Sequence, residues 1–220
     1  MLTPTFPSTD SVYTPVHPEQ RAAQQLVGLL TLVFVRVDTA LRVQSAQSAL
    51  VPTGLGGLAG NKGGIAFRLT VAGYSLLFVN LHLPSGAGKE PCEQRNQAFS
   101  DVLKGAARDF SSRGLPVALE QHTTFCFGDL NYRLTAPNRE ARWRMGCRDW
   151  QTLLCADQLL NQLGAEGTTY HAWDEADIQF RPTYKYDVGT VDRFDSSEKA
   201  RAPAWCDREC FRIRPRALLP

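Results

Sequence analysis

Asp129, Asn131 and Arg133 occupy alternate positions in TFCFGDLNYR (Thr124–Arg133), directly after the apolar run Thr123–Phe127. Alternate residues of an extended chain point to one side, so a carboxylate, an amide and a guanidinium project together into whatever cleft lies at the strand's end. A carboxylate so placed can take a proton from water or hold a hard cation, and the amide can donate to a phosphate oxygen. The same residues also suit an ordinary turn in which Asp129 caps the backbone and Arg133 is its partner. Asn80 and His82 repeat the arrangement at the end of a second apolar run. A lone His after a strand serves plain hydrogen bonding as readily as chemistry. Two strands that both end in polar pairs favour a site, because sheet ends are where α/β folds place ligands.

Two other segments carry candidate chemistry. GLGGLAGNKGG (Gly54–Gly64) reads as a glycine-rich loop whose backbone N–H groups can approach an anion, with Asn61 and Lys62 inside it. The Walker pattern is absent, so it is not a nucleotide-binding P-loop, and a tight turn that only Gly fits is the competing reading. Between Arg181 and Arg208, aromatics and cations interleave: Tyr184, Lys185, Tyr186, Lys199, Arg201, Trp205 and Arg208. Cations braced by rings can hold a polyanionic headgroup through charge-assisted hydrogen bonds, although such a run is also what a solvated face looks like.

The elements that must position these groups are legible in part. Residues 1 to 18, rich in Pro, Ser and Thr, read as a loose arm. Leu29–Val37 is continuously apolar, as a strand covered on both faces would be. Ile65–Leu83 reads as two strands about a turn at Ala72-Gly73. Ala98, Phe99, Val102, Leu103 and Ala106 fall at helical spacing, as do Trp150, Leu153, Leu154, Leu159, Leu160 and Leu163, with Gly164 and Gly167 as stop signals. Strands and helices interleave, which predicts a layered α/β or α+β fold with mixed sheets in one domain.

Composition narrows the function classes. The chain has 220 residues, 43% of them hydrophobic, and a net charge of +2, so no global attraction to nucleic acid is implied. Basic residues concentrate instead between Lys199 and Arg216. No apolar run is long enough for a membrane helix and the first residues lack a signal peptide's pattern, which predicts a soluble intracellular protein. The scattered cysteines argue against a disulfide framework, and Cys206 with Cys210 is a weak zinc signal; free buried thiols are expected.

GDLNYR, NLHL, GLGGLAGNKGG and above all PTYKYD with SSEKARAPAWCDR resemble the inositol polyphosphate 5-phosphatases of the endonuclease/exonuclease/phosphatase superfamily, with the type II branch most similar. The resemblance runs from about Tyr13 to Arg208. It implies a DNase I-like α/β sandwich with two mixed sheets, a catalytic domain over 19–208 and a divergent tail over 209–220. By resemblance, Asp129 orients or deprotonates the attacking water, Asn131 binds the scissile phosphate and His82 helps position it. Tyr184, Lys185, Lys199 and Arg201 grip the 4-phosphate of the ring, Asn61 and Lys62 border the substrate, and Arg208 and Asp207 belong to the signature, where they either touch substrate or brace the site.

The implied reaction is hydrolysis of the 5-phosphate of a phosphoinositide or inositol polyphosphate by in-line water, with Mg2+ polarising the phosphate. A nuclease is the weaker alternative, because a phosphodiester enzyme has no need to grip a second monophosphate. The implied location is cytoplasmic, with the membrane met only through the substrate headgroup and no nucleic acid partner. The family pattern also includes an earlier strand with a metal-binding Glu in a Gln-Glu pair and a later Ser-Asp-His motif. Nothing before Tyr13 matches the first, and ECFRIRPRALLP stands where the second would follow, so the fold is expected to be incomplete at both ends. Little or no phosphatase activity, or a non-catalytic inositol-phosphate-binding remnant, is expected of this polypeptide. Cys126 replaces the family's usual Trp, which predicts a void unless Phe125 or Phe127 fills it.

Overall fold

The computed structural model describes residues 13–15, 23–40, 42–54, 57, 59–114 and 122–213. The chain forms two compact units, each assembled from separated segments. The first contains Met1–His82, Asp101–Cys126 and Phe211–Pro220; the second contains Leu83–Ser100 and Phe127–Cys210.

In the first unit, β1 (Tyr13–Pro15), β2 (Ala23–Leu26), β3 (Leu29–Leu32) and β4 (Phe34–Arg36) precede a short helix α1 (Val37–Ala40). Two long strands, β5 (Val43–Gly54) and β6 (Ala59–Val71), and then β7 (Tyr74–His82) follow. β5, β6 and β7 are successive antiparallel neighbours, and the opening residues of β8 (Thr123–Asp129) continue the order beyond β7. β6 and β7 join as the sequence predicts. Val71 faces Tyr74, and Ala72 and Gly73 both take left-handed φ values, 49° and 82°, as a two-residue hairpin with the twist of its strands requires.

The core of this unit lies under the long strands. Ile65, Ala66, Phe67, Val79 and Leu81 are buried, and the second half of helix α2 (Lys89–Ser112) contributes Val102, Leu103, Ala106 and Phe110 at helical spacing. Two glycines permit that contact. A Cβ on Gly64 would stand 2.5 Å from Val102, and one on Gly105 would stand 2.6 Å from Val51.

Leu29–Val37 is not one strand covered on both faces. β3 pairs with β2 and β4 pairs with β1, so the run divides at Val33. Leu30, Leu32 and Phe34 are exposed while Leu29 and Thr31 turn inward. An unbroken apolar run does not reveal how many of its faces will be covered, and here alternate residues meet solvent. Tyr13–Pro15, assigned to the loose arm, is β1; the rest of residues 1–18 lies outside the described residues. The glycine-rich segment is likewise mostly strand, since β5 runs through Gly54 and β6 begins at Ala59.

The second unit starts from the end of β8 and the adjoining part of β9 (Asp207–Arg212), which are neighbours. β9 runs through the boundary expected at 208, so the divergent tail begins as sheet. Helix α3 (Asn138–Gly146) and the short α4 (Trp150–Leu154) pack Ala141, Met145 and Leu153 against Leu134, Ile178 and Trp205. The helix expected to reach Leu163 stops at Leu154. Asp157 redirects the chain there, its carboxylate accepting from the N–H groups of Leu159 and Leu160. Gly164 and Gly167 take left-handed φ in the turns beyond.

Observed, then, are β5–β9 as a five-stranded order plus two antiparallel strand pairs, a mixed α/β architecture. Cys126 is fully buried. Strand alternation sends Phe125 and Phe127 to the opposite face, where Phe125 stacks on Phe78 at 5.4 Å, so neither fills the volume of a Trp at 126.

Candidate functional site

In the first unit the site residues stand at a strand end. His82 closes β7, and Lys62 reaches it from the adjacent strand, with Nζ 2.5 Å from His82 Nε2. An ammonium can only donate, so Nε2 is the acceptor when Lys62 is charged. Gly28, in the β2–β3 turn, lies beside the other ring nitrogen: a Cβ there would stand 3.8 Å from Nδ1. Asn61 is exposed on β6, and its side-chain oxygen leaves no room for a Cβ at Gly54. Asn80, the other half of the polar pair, is structural. Its amide donates to Leu30 O and Thr31 Oγ1, both at 3.1 Å, and so ties β3 to β7.

In the second unit a continuous chain of contacts links the predicted residues. Asp129 is the last residue of β8, and its Oδ1 accepts the Asn131 N–H at 3.1 Å. Asn131 takes a left-handed φ of 57°, and its buried amide donates to Leu83 O at 3.1 Å. The N–H groups of Leu130 and Asn131 both reach Cys206 O, at 2.8 and 3.2 Å, so β9's leading edge fixes the turn after Asp129. A non-glycine residue in that region of φ persists only where its surroundings over-determine it, and here they do. Arg133 donates to Asn131 Oδ1 at 2.6 Å and lays its guanidinium 4.0 Å over the Tyr184 ring. The strand-end carboxylate, the amide and the aromatic-cationic segment are thereby in direct contact.

Tyr184 exchanges both backbone hydrogen bonds with Ala204 at 3.0 Å, and Lys185 O accepts the Asp195 N–H at 2.8 Å. Asp195 organises the loop bearing Lys199 and Arg201. Its buried carboxylate accepts from Ser197 Oγ at 2.6 Å, from the Arg201 N–H at 3.0 Å and from Arg201 Nη1 at 3.0 Å. Those bonds, the Ser197 hydroxyl foremost, hold the carboxyl well below the ordinary carboxylate range. Lys199 is exposed and Lys185 half-buried, and among the described residues neither side chain is paired with a carboxylate.

Sequence reasoning missed the groups behind this loop. From α3, Arg142 Nη2 donates to Asp195 O at 2.8 Å and to Arg201 O at 2.9 Å, while Asn138 donates to Ala200 O. Ala200 has φ 36°, so the chain between Lys199 and Arg201 is held in a conformation that it would otherwise avoid. Asp-x-Ser at 195–197 was a turn signal in the letters. Nothing in them tied Arg142 to that loop.

For Arg208 the structure shows the bracing alternative. Its side chain is wholly enclosed, with Nη1 2.9 Å from Asp157 Oδ1, Nε 2.8 Å from Glu175 Oε1, and Nη2 also on Glu175. Burial opposes its charge, but the hydrogen bonds it donates to Glu175 and the nearby Asp157 carboxylate outweigh that and raise its pKa. Arg208 braces the fold through these two carboxylates.

The cysteines also divide. All six are free thiols; Cys126, Cys206 and Cys210 are buried as expected, Cys92 is half-buried, and Cys147 and Cys155 are exposed. Burial pushes Cys206 up to about 12. Titration of the native protein with an aromatic disulfide reagent is expected to modify Cys147 and Cys155 promptly, and Cys206 and Cys210 only after denaturation. Rapid native labelling of Cys206 would contradict the packing described.

Among the described residues no three His, Cys, Asp or Glu side chains gather as a metal site would require. Asp129 and Asn131 offer oxygen donors, but they do not make a complete ligand set. None of the helices is long and apolar enough to cross a membrane.

Known proteins resemble this chain in sequence and fold. The family model described as endonuclease/exonuclease/phosphatase family 2 matches residues 8–218. Human synaptojanin-1 is 37% identical over 193 residues, covering 88% of this chain and 12% of that protein. The mouse type II inositol 1,4,5-trisphosphate 5-phosphatase is 36% identical over 200 residues, covering 88% of this chain and 20% of that one. These near-equal identities do not separate the two branches. The chain thus spans a fifth or less of these relatives' lengths. Among solved structures, the inositol polyphosphate 5-phosphatase domain of a synaptojanin, in complex with inositol (1,4)-bisphosphate and calcium, superposes with a TM-score of 0.77 at 30% identity, covering 91% of this chain and 55% of that one. With nearly its whole length matched and the strand-end carboxylate, amide and aromatic-cationic segment in place, the chain belongs to the endonuclease/exonuclease/phosphatase family.

Proposed function

We propose that this chain recognises a phosphorylated inositol ring and serves removal of its 5-phosphate by water, as in hydrolysis of phosphatidylinositol 4,5-bisphosphate to the 4-phosphate. The observation that carries this reading is the contact chain Asp129–Asn131–Arg133–Tyr184, which joins a strand-end carboxylate and amide to a loop of cations suited to a second phosphate. Lys185, Lys199 and Arg201, with Tyr184, take the 4-phosphate. Asn131 binds the phosphate that leaves and Asp129 orients or deprotonates the water. By resemblance, His82 helps position that phosphate, and Asn61 and Lys62 border the substrate. Charge-assisted bonds to phosphate are about twice as strong as neutral ones, which is why cations select a doubly phosphorylated ring. The chain would meet membranes peripherally, from the cytoplasm and through its substrate.

The cation proposed for the reaction is Mg2+, which would polarise the phosphate and stabilise the leaving oxygen. Because the described residues do not supply its ligand set, no step is assigned through it. The cationic loop of Lys185, Lys199 and Arg201 equally serves a second reading, in which the chain binds inositol phosphates without turning them over. Phosphate release from phosphatidylinositol 4,5-bisphosphate with Mg2+ separates the two: turnover above background establishes the phosphatase, and none with intact binding establishes the binder.

Calorimetry with soluble inositol 1,4,5-trisphosphate tests the grip common to both. Lys185→Ala is expected to weaken binding about tenfold, the worth of one charge-assisted contact, and Lys199→Ala/Arg201→Ala by more. Unchanged affinity in both variants would remove the assignment.

A further inference from the structure

The chain between the grip residues forms a hairpin of its own. Tyr186 and Phe194 bridge and stack at its base, with ring centroids 4.5 Å apart. Asp187 N–H donates to Arg193 O at 2.9 Å, and the Asp187 carboxylate accepts from Arg193 Nε at 2.6 Å and from the Ser196 N–H at 2.9 Å. Thr190 N–H returns to Asp187 O at 3.1 Å beside Gly189, whose φ is 76°. Arg181 Nη1 reaches Val191 O at 3.3 Å from outside the loop. The backbone is therefore pinned at base, turn and flank.

What this scaffold presents is apolar. Val188 is 100% exposed and Val191 is 82% exposed. Single exposed apolar residues are ordinary, but here two β-branched side chains share one pinned tip and make no contact with the core. Lys185 precedes the hairpin and Lys199 follows it, both without a carboxylate partner among the described residues, while Asp187 is neutralised within the hairpin by Arg193. Asp192 and Glu198 are the exposed carboxylates nearby. An apolar tip on a pinned stem, flanked by cations that suit phosphorylated headgroups, matches a surface that is hydrocarbon beneath and anionic above.

We propose that the Tyr186–Phe194 hairpin is a membrane-insertion element: Val188 and Val191 enter the interface of an anionic bilayer while Lys185 and Lys199 remain at the headgroup level. This rests on the inositol-phosphate reading above and names the physical form of the ligand as lipid in a bilayer. Burial of two exposed valines adds to headgroup capture only when the headgroup is in a membrane, so the hairpin would distinguish lipid from soluble inositol phosphate.

The test has three arms. Vesicles of phosphatidylcholine and phosphatidylserine, with and without phosphatidylinositol 4,5-bisphosphate, are cosedimented with wild type and with Val188→Asp/Val191→Asp. Soluble inositol 1,4,5-trisphosphate is titrated calorimetrically into both, and Val188→Trp is mixed with vesicles of brominated lipid. The double variant is expected to lose vesicle affinity by about tenfold or more while its affinity for the soluble headgroup is unchanged, and the new Trp is expected to be quenched. Equal vesicle binding by wild type and double variant, or an unquenched Trp on vesicles that do bind, overturns the proposal. Failure of wild type to bind the soluble headgroup overturns the functional reading instead, and the quenching arm without the bisphosphate lipid still reads insertion on its own.

Discussion

Arg208→Ala is expected to lower unfolding free energy by about 3–5 kcal/mol, the usual cost of breaking a buried ion pair by removing one partner. The magnitude follows from enclosure. The guanidinium and Asp157 have no side-chain exposure and Glu175 has 6%, so water cannot replace the lost bonds. Two carboxylates would be left buried without their cation, and the Asp157 carboxylate also holds the turn at Leu159 and Leu160. Arg208 additionally donates to Trp205 O, one residue before the Cys206 carbonyl that fixes Leu130 and Asn131. Urea unfolding followed by fluorescence measures the loss. Arg208→Lys retains the charge but not the fork that serves both acids, and is expected to recover only part of it. A change under about 1 kcal/mol for the alanine variant would show that the pair is not the brace described.

Arg142→Ala is expected to weaken binding of a soluble phosphorylated inositol about ten- to hundredfold, although Arg142 touches no ligand in this reading. Its guanidinium donates to the carbonyls of Phe194, Asp195 and Arg201, and its Nε bonds Asn138, which itself holds Ala200. Without it, the left-handed backbone at Ala200 loses the contacts that enforce it, and Lys199 and Arg201 sample many positions before binding. Arg142 is thus a positioning residue. Arg142→Lys should restore part of the affinity, whereas a merely structural role would move thermal stability and leave affinity in the folded protein unchanged.

Acid provides a second reading of the same loop. The Asp195 carboxyl has a native pKa below its unfolded value, so its support is fully present above about pH 4, the value of a free carboxylate. It is lost only as pH falls through the lower native value. Headgroup binding is therefore expected to show no Asp195 titration near the ordinary carboxylate range.

The letters alone determined a good deal. The Ala72-Gly73 hairpin was legible because two left-handed positions between apolar runs admit few alternatives. The helix through Ala98–Ala106 was legible because its apolar stripe repeats at 3.6 residues. Asp129 at the end of its strand and the aromatic-cationic segment were legible because alternation and composition are local properties. Tertiary structure decided the rest. Whether Arg208 grips a ligand or braces the core depends on Asp157 and Glu175, distant in sequence and near in space. Whether Leu29–Val37 is one strand or two depends on which partners cover it. Arg142's part in the Lys199–Arg201 loop required α3 to lie against a segment more than fifty residues away. Spacing fixes which side a group faces only while the chain stays regular, and it does not at Asn131, whose φ is left-handed; packing fixes the rest, and the free energy of a buried charge is set by what it meets.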